Sequence, residues 1–149
     1  PATPELTGTP PTTTPQGEAM SHNRIATLGE LRNELTASNG PHPSHGLAVR
    51  AAALVSDRQF GPLIYSIAAG RARCAALLWT RIADQLDGQA CVDALSVAAA
   101  EAHQAADPGA AADAIVRLRV TARRDHAEIP PIVDDLTHDT AVSAALAEH

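Results

Sequence analysis

Between Cys74 and Arg124 the chain runs through three amphipathic stretches cut apart by two stop signals, and this punctuation narrows the fold most. The first, Cys74 to Leu86, places Leu78, Trp79, Ile82 and Leu86 at helical spacing. Asp87-Gly88 ends it. A second run follows, with a stripe of Cys91, Ala94, Leu95, Ala98, Ala102 and Ala105, built almost wholly of alanine. Asp107-Pro108 breaks that run, and a third sets Ala111, Ala114, Ile115, Leu118 and Ala122 on one face. Three helices joined by tight turns are expected, with the rest of the chain extending that array.

An alanine-built interior has an energetic consequence. Hydrophobic residues make up 45% of the chain but aromatics only 2%, namely Phe60, Tyr65 and Trp79. Alanine buries little area, at roughly 25 cal/mol per Å², so stability must come from close helix approach and helix propensity. Strand formers never alternate over a useful length, so the expected class is all-α. The length fits one domain with a modest core.

No lysine occurs; every basic residue is an arginine, and the net charge is −6. Lysine absence with abundant alanine fits a GC-rich, actinobacterial-type source. An acidic balance makes nucleic-acid binding an unfavoured expectation, because phosphate neutralisation needs a basic surface. Cys74 and Cys91 sit on apolar faces and read as buried structural thiols. No run reaches the roughly 20 apolar residues that span a bilayer, and the first residues lack a signal-peptide layout. The expectation is a cytoplasmic protein with no membrane association.

Residues 1–24 begin with a Pro/Thr-rich stretch lacking apolar periodicity, which predicts a flexible tail or linker; residues 25–149 form the expected single helical domain. Thr27 and Glu30 have capping-box spacing, predicting a helix start there, with Leu28, Leu31 and Leu35 on one side. Ser44 predicts an N-cap for a helix carrying Leu47, Arg50 or Ala51, Leu54 and Val55 on its stripe. Residues 57–69 read as a helix interrupted or restarted at Gly61-Pro62. Pro130-Pro131 marks a new start bearing Ile132, Val133 and Leu136, and a last short amphipathic piece ends the chain. Seven or eight short antiparallel helices are expected in all.

The pair 90–106 and 109–124 has the length of one tetratricopeptide-type helical hairpin, without that motif's bulky aromatics. Such a hairpin needs neighbours to cover its faces. The run LVSDRQFGPLIYSIAAGRARCAALLWTRIADQL, followed by ALSVAAAEAHQAADPGAAADAIVRLRVTARRDHAEIPPIVDDL, resembles the C-terminal half of an uncharacterised actinobacterial family. Members pair an N-terminal α/β region with an alanine-rich helical array of this rhythm. The resemblance spans about residues 47–137. It implies fold and source, and no activity.

Candidate chemistry is sparse. His42 and His45 form an H-x-x-H in a Pro/Gly connector, but a structural zinc site needs four ligands. His103, His126 and His138 are the residues a ligand- or metal-binding bundle would use, with a possible small enzymatic role. Glu-x-x-His spacing is absent, and Glu101-Ala102-His103 has the wrong interval. Pairing of Cys74 or Cys91 with His103 lacks a turn that would present the thiol. No catalytic residue, metal site or cofactor is therefore expected. Arg117, Arg119, Arg123 and Arg124, together with Trp79, are the candidate partner-binding residues, and Arg71, Arg73 and Arg81 extend the positive charge onto the first helix. Intramolecular pairing with Asp84, Asp93, Glu101 or Asp113 is the simpler reading of those arginines.

The expected function is a non-catalytic protein–protein interaction or assembly module, working on a protein partner or by self-association through an apolar groove. The alternatives are the ligand- or metal-binding bundle, and a DNA-associated regulator using the arginine face.

Overall fold

A computed structural model describes residues 15–149, with side chains described from Met20 onward. Eight helices and no strand occur among these residues: α1 (Pro15–Leu35), α2 (His45–Val55), α3 (Gly61–Ile67), α4 (Ala72–Ala83), α5 (Gly88–Gln104), α6 (Pro108–Asp125), α7 (Pro131–Thr137) and α8 (Thr140–Ala147). The all-α expectation holds.

Helix α5 is the axis of the molecule. Short turns fold α4 and α6 back along it, so α4 and α6 run in the same direction on its flanks, while α2 and α7 also pack on it. Cys91, Val92, Ala94, Leu95, Ser96, Val97, Ala98, Ala99 and Ala102 are all buried, on every side of the helix. The expected single stripe was too narrow. A helix apolar all round belongs in the centre of a fold, and small side chains let several neighbours approach it closely. The larger groups filling the gaps come from those neighbours: Leu78 and Ile82 of α4, Ile115 and Leu118 of α6, and Ile64 of α3.

The turns are built as the stop signals require. Asp107 caps α6, its carboxylate accepting from the Ala110 N–H at 3.0 Å, with Pro108 in the first helical position. On the other side of that turn the Asp107 N–H reaches back to the Ala102 carbonyl at 2.9 Å, and Ala106 adopts a left-handed φ of 58°. This is a Schellman closure with alanine where glycine is usual. Asp125, at the end of α6, accepts from the Gly88 N–H at 2.9 Å and so ties the α4–α5 turn to α6. Gln89 clamps the segment leading to α7, donating to the Glu128 carbonyl at 2.9 Å and accepting from its N–H at 2.8 Å.

Ser44 caps α2 as expected, accepting from the Leu47 N–H at 3.1 Å. Gly61 opens α3 with Pro62 in its first turn, so the helix begins at the restart point and not at Asp57. The start of α1 differs more. The helix begins at Pro15, inside the expected tail, and passes through the proposed capping box unbroken. Thr27 is an interior residue whose hydroxyl donates to the Asn23 carbonyl at 2.8 Å, and Glu30 pairs with Arg50 of α2, Arg50 Nη2 lying 3.1 Å from Glu30 Oε1. Leu28, Leu31 and Leu35 face the core as expected. The earlier turns expose His22, Asn23, Ile25 and Ala26, so no apolar stripe marks them as helix. Of the tail expectation, residues 1–14 lie outside the described residues.

Candidate functional site

Two clefts flank the C-terminal half of α5. The larger is a groove of about 730 Å³ between α4 and the start of α6. Its floor is Ala98, Ala102 and Ala105 of α5; Ala72, Ala76 and Leu77 form one wall and Ala110 part of the other. Its width follows from composition: alanines on all three helices leave a trough where leucines would have interdigitated. Leu77 is 43% exposed at its edge. Arg71 and Arg73, both exposed, stand at the α4 end of the groove and make no ion pair with any described residue.

The expected arginine stripe does not form as one surface. Because α4 and α6 run parallel, Arg71 and Arg73 lie at one end of the pair and Arg117 to Arg124 at the other. Arg81 is turned inward, donating to the Pro41 carbonyl. Arg117 pairs with Asp84 at 2.6 Å, and Arg124 with its neighbour Asp125 at 3.0 Å. Arg119 and Arg123 remain exposed and without an ion pair among the described residues. Intramolecular pairing thus accounts for half of the α6 cluster. The other expected acceptors are used differently: Asp93 accepts from Gln89 at 2.9 Å, and Asp113 lies 2.8 Å from His149.

Trp79 does not belong to a partner surface. It is only 2% exposed, and its indole is part of the core. Lying on the same face of α4 as Leu78 and Ile82, it turns toward the interior, and Leu77 is the large apolar residue that α4 leaves outside. Helical spacing identified the buried face correctly; the error was to treat its one aromatic as a contact.

The second cleft, of about 530 Å³, lies between α5, the α3–α4 connection and α7. Tyr65, Ala69, Ile132 and Leu136 supply its apolar walls, and Glu101, His103 and Gln104 of α5 supply its polar groups. Glu101 is 4% exposed, and no described residue donates a hydrogen bond or an ion pair to its carboxylate. Burial alone pushes its carboxyl up to about 7. The Tyr65 hydroxyl is pushed up to about 12, first by its own burial and then by the charge of Glu101. His103 Nε2 stands 3.0 Å from Asp139 Oδ2. The hydrogen bond from His103, with backbone N–H groups of α8 assisting, holds the Asp139 carboxyl below the usual carboxylate range. Sequence reasoning considered Glu101 as an arginine partner and as a mis-spaced neighbour of His103, and not as a buried, unpartnered group. No sequence signal set it apart, because Asp93 of the same helix is also a carboxylate among small residues and stays partly exposed.

Comparison of the chain with protein-family models, curated proteins and solved structures finds no match.

The remaining candidates are dispersed. His138 bonds the Asp134 carbonyl of its own helix at 2.7 Å, His126 forms the left-handed C-cap of α6, and His42 lies 3.1 Å from the Asn39 carbonyl. Among the described residues no three metal-capable side chains gather. Cys91 is buried with its Sγ 3.5 Å from the Ala83 carbonyl, and burial raises its thiol. Cys74 is half-buried, and its Sγ lies 3.4 Å from the Leu35 carbonyl; both cysteines are free. No described helix is long and apolar enough to cross a membrane.

Proposed function

We propose that this protein is a non-catalytic interaction module whose working surface is the alanine-floored groove between α4 and α6. The observation that carries the reading is the pairing of a long apolar trough with two unengaged arginines, Arg71 and Arg73, at its rim. A short amphipathic helix fits that arrangement, its apolar face on Ala98, Ala102 and Leu77 and its acidic side chains toward the guanidiniums. Small floor residues favour this occupant, because they let a second backbone approach closely. The actinobacterial-type origin suggested by composition is part of the same proposal and adds no mechanism.

A nucleic-acid surface has less support. Two of the four α6 arginines are already neutralised by Asp84 and Asp125, and the chain carries a net charge of −6.

The test is a titration of the isotopically labelled protein with two synthetic amphipathic helices, one flanked by aspartate and glutamate and the other by lysine. Shifts in the amides of Ala76, Leu77, Ala102 and Ala105 are expected with the acidic peptide. They should weaken with added salt and in the Arg71→Ala/Arg73→Ala variant. Preference for the lysine-flanked peptide, or no response of the groove to either, would count against the reading.

A further inference from the structure

The Glu101 cleft is separate from the groove and has a different chemistry. A carboxylate taken out of water without a counter-charge is costly, and proteins normally answer it with an internal cation or a donor network. Among the described residues neither reaches Glu101. Of the charged groups on the elements packed around α5, Arg50 of α2 pairs with Glu30, Arg117 of α6 with Asp84, and Asp113 of α6 with His149. Arg71 and Arg73 at the head of α4, without an ion pair among the described residues, line the neighbouring groove and not this cleft, and Arg119 and Arg123 of α6 do not line it either. Within the cleft itself the titratable neighbours are Tyr65 from α3 and His103 from α5, with Asp139 behind His103 at the head of α8. The start of α4 contributes Ala72, and α7 contributes Ile132 and Leu136, none of which titrates.

We propose that this cleft binds a small organic amine, its ammonium group on the Glu101 carboxylate and its apolar body against Tyr65, Ile132 and Leu136. The unpartnered carboxylate selects a cation. The apolar walls select an organic one over a metal ion, for which too few ligands converge. An aromatic ring beside the carboxylate adds the face that organic cations prefer. An anionic ligand is opposed by Glu101 and Asp139 together, and the net negative charge of the chain favours approach of a cation. His103 and Asp139, bonded to each other, tie the N-cap of α8 to α5 beside the opening.

Because Glu101 must be ionised to receive the ammonium, binding strengthens as pH rises through neutrality. The experiment uses benzylamine, cationic throughout the range, with benzyl alcohol as the uncharged control, followed by amide shifts of the full chain. Benzylamine is expected to move Tyr65, Ala69 and His103, with affinity falling about tenfold or more between about pH 8 and about pH 5.5. Glu101→Gln should abolish this binding while leaving the far-ultraviolet spectrum unchanged. Ala69→Leu, which narrows the cleft without touching the carboxylate, should abolish it as well. The assignment is overturned if the alcohol binds as well as the amine, if Glu101→Gln binds normally, or if benzylamine leaves these amides unmoved at the higher pH.

Discussion

Replacing Glu101 by glutamine should stabilise the protein at alkaline pH and leave it nearly unchanged at acid pH. The reason is linkage. The carboxyl has a value of about 7 in the folded chain against 4.5 for a free glutamate. Below the unfolded value both states hold the proton, and the contribution of Glu101 to stability is fully present. Between the two values the unfolded chain has released its proton while the folded chain retains it, so stability falls as pH rises. Above the folded value the loss is complete. At about 1.4 kcal/mol per pH unit, the span from 4.5 to about 7 amounts to roughly 3 kcal/mol. Glutamine has nearly the same shape and never ionises, so the variant escapes the loss. Urea unfolding at about pH 4.5, 6 and 8 measures it, with Trp79 emission as the signal, since the single tryptophan is buried in the fold and wetted on unfolding. Other titrating groups are shared and cancel in the difference between the two proteins. With a slope of about 1–3 kcal/mol per molar urea, the midpoint of the variant should lie roughly 1–3 M above that of the parent at pH 8. A fixed offset at pH 4.5 reflects the amide itself and does not matter. A difference that fails to grow with pH would mean that water or a neighbouring donor already solvates the carboxylate.

Three backbone positions give further tests by thermal unfolding. Ala106 holds a left-handed φ of 58° at the end of α5, so Ala106→Gly should relieve roughly 1–2 kcal/mol of backbone strain and lose part of that gain to the freer unfolded chain. A net rise of about 2 °C is expected; a fall would show that the turn is not strained. Gly29 and Gly61 should respond in opposite directions. A Cβ at Gly29, in the interior of α1, meets nothing within 4 Å, so Gly29→Ala should stabilise by up to about 1 kcal/mol. At Gly61 the same methyl would stand 3.0 Å from the Val55 carbonyl oxygen and 3.4 Å from that of Leu54, both backbone atoms at the end of α2, so Gly61→Ala should destabilise by about 1–3 kcal/mol. Equal responses at the two sites would refute the close approach of α2 and α3.

Local rules carried the sequence reading where structure is made locally. Asp107-Pro108, Ser44, Gly61-Pro62 and Pro130-Pro131 each act at the helix end where they stand, through a cap or a fixed φ, and each sits at a boundary of the fold. Thr27 and Glu30 had the same kind of spacing, yet a tertiary partner claimed the glutamate: Arg50, distant in sequence, takes the carboxylate that a capping box would have used. Periodicity likewise found the buried sides of α4 and α6, whose outer faces are polar apart from Leu77 and Val120. It under-described α5, where alanine, serine and valine on the remaining sides carry too little hydrophobic contrast to announce burial. Glu101 was hidden for a related reason. On a helix of such small residues a carboxylate reads as the solvated side, and only the arrival of α3 and α7 from elsewhere in the chain encloses it.

Both clefts follow from the same property of α5. Where neighbours cover the alanine helix from several sides, close approach fills the space, as the burial of Val92, Leu95 and Ala99 shows. Toward its C-terminal end the cover changes: α4 is at its first turn, α6 has only begun, and α3 has turned away at Gly70 with a left-handed φ of 78°. Short side chains cannot reach across the gaps left there, and the groove and the Glu101 cleft open on either side, sharing Gly70 and Ala72 at their common wall. A leucine at Ala98 or Ala102 would recover apolar contact only by forcing the helices apart, so filling these spaces conflicts with the close packing that holds the remainder of α5. The economy that lets a chain poor in large apolar residues fold around one helix is thus what leaves two recesses at its end. One is suited to a backbone, and the other to a cation.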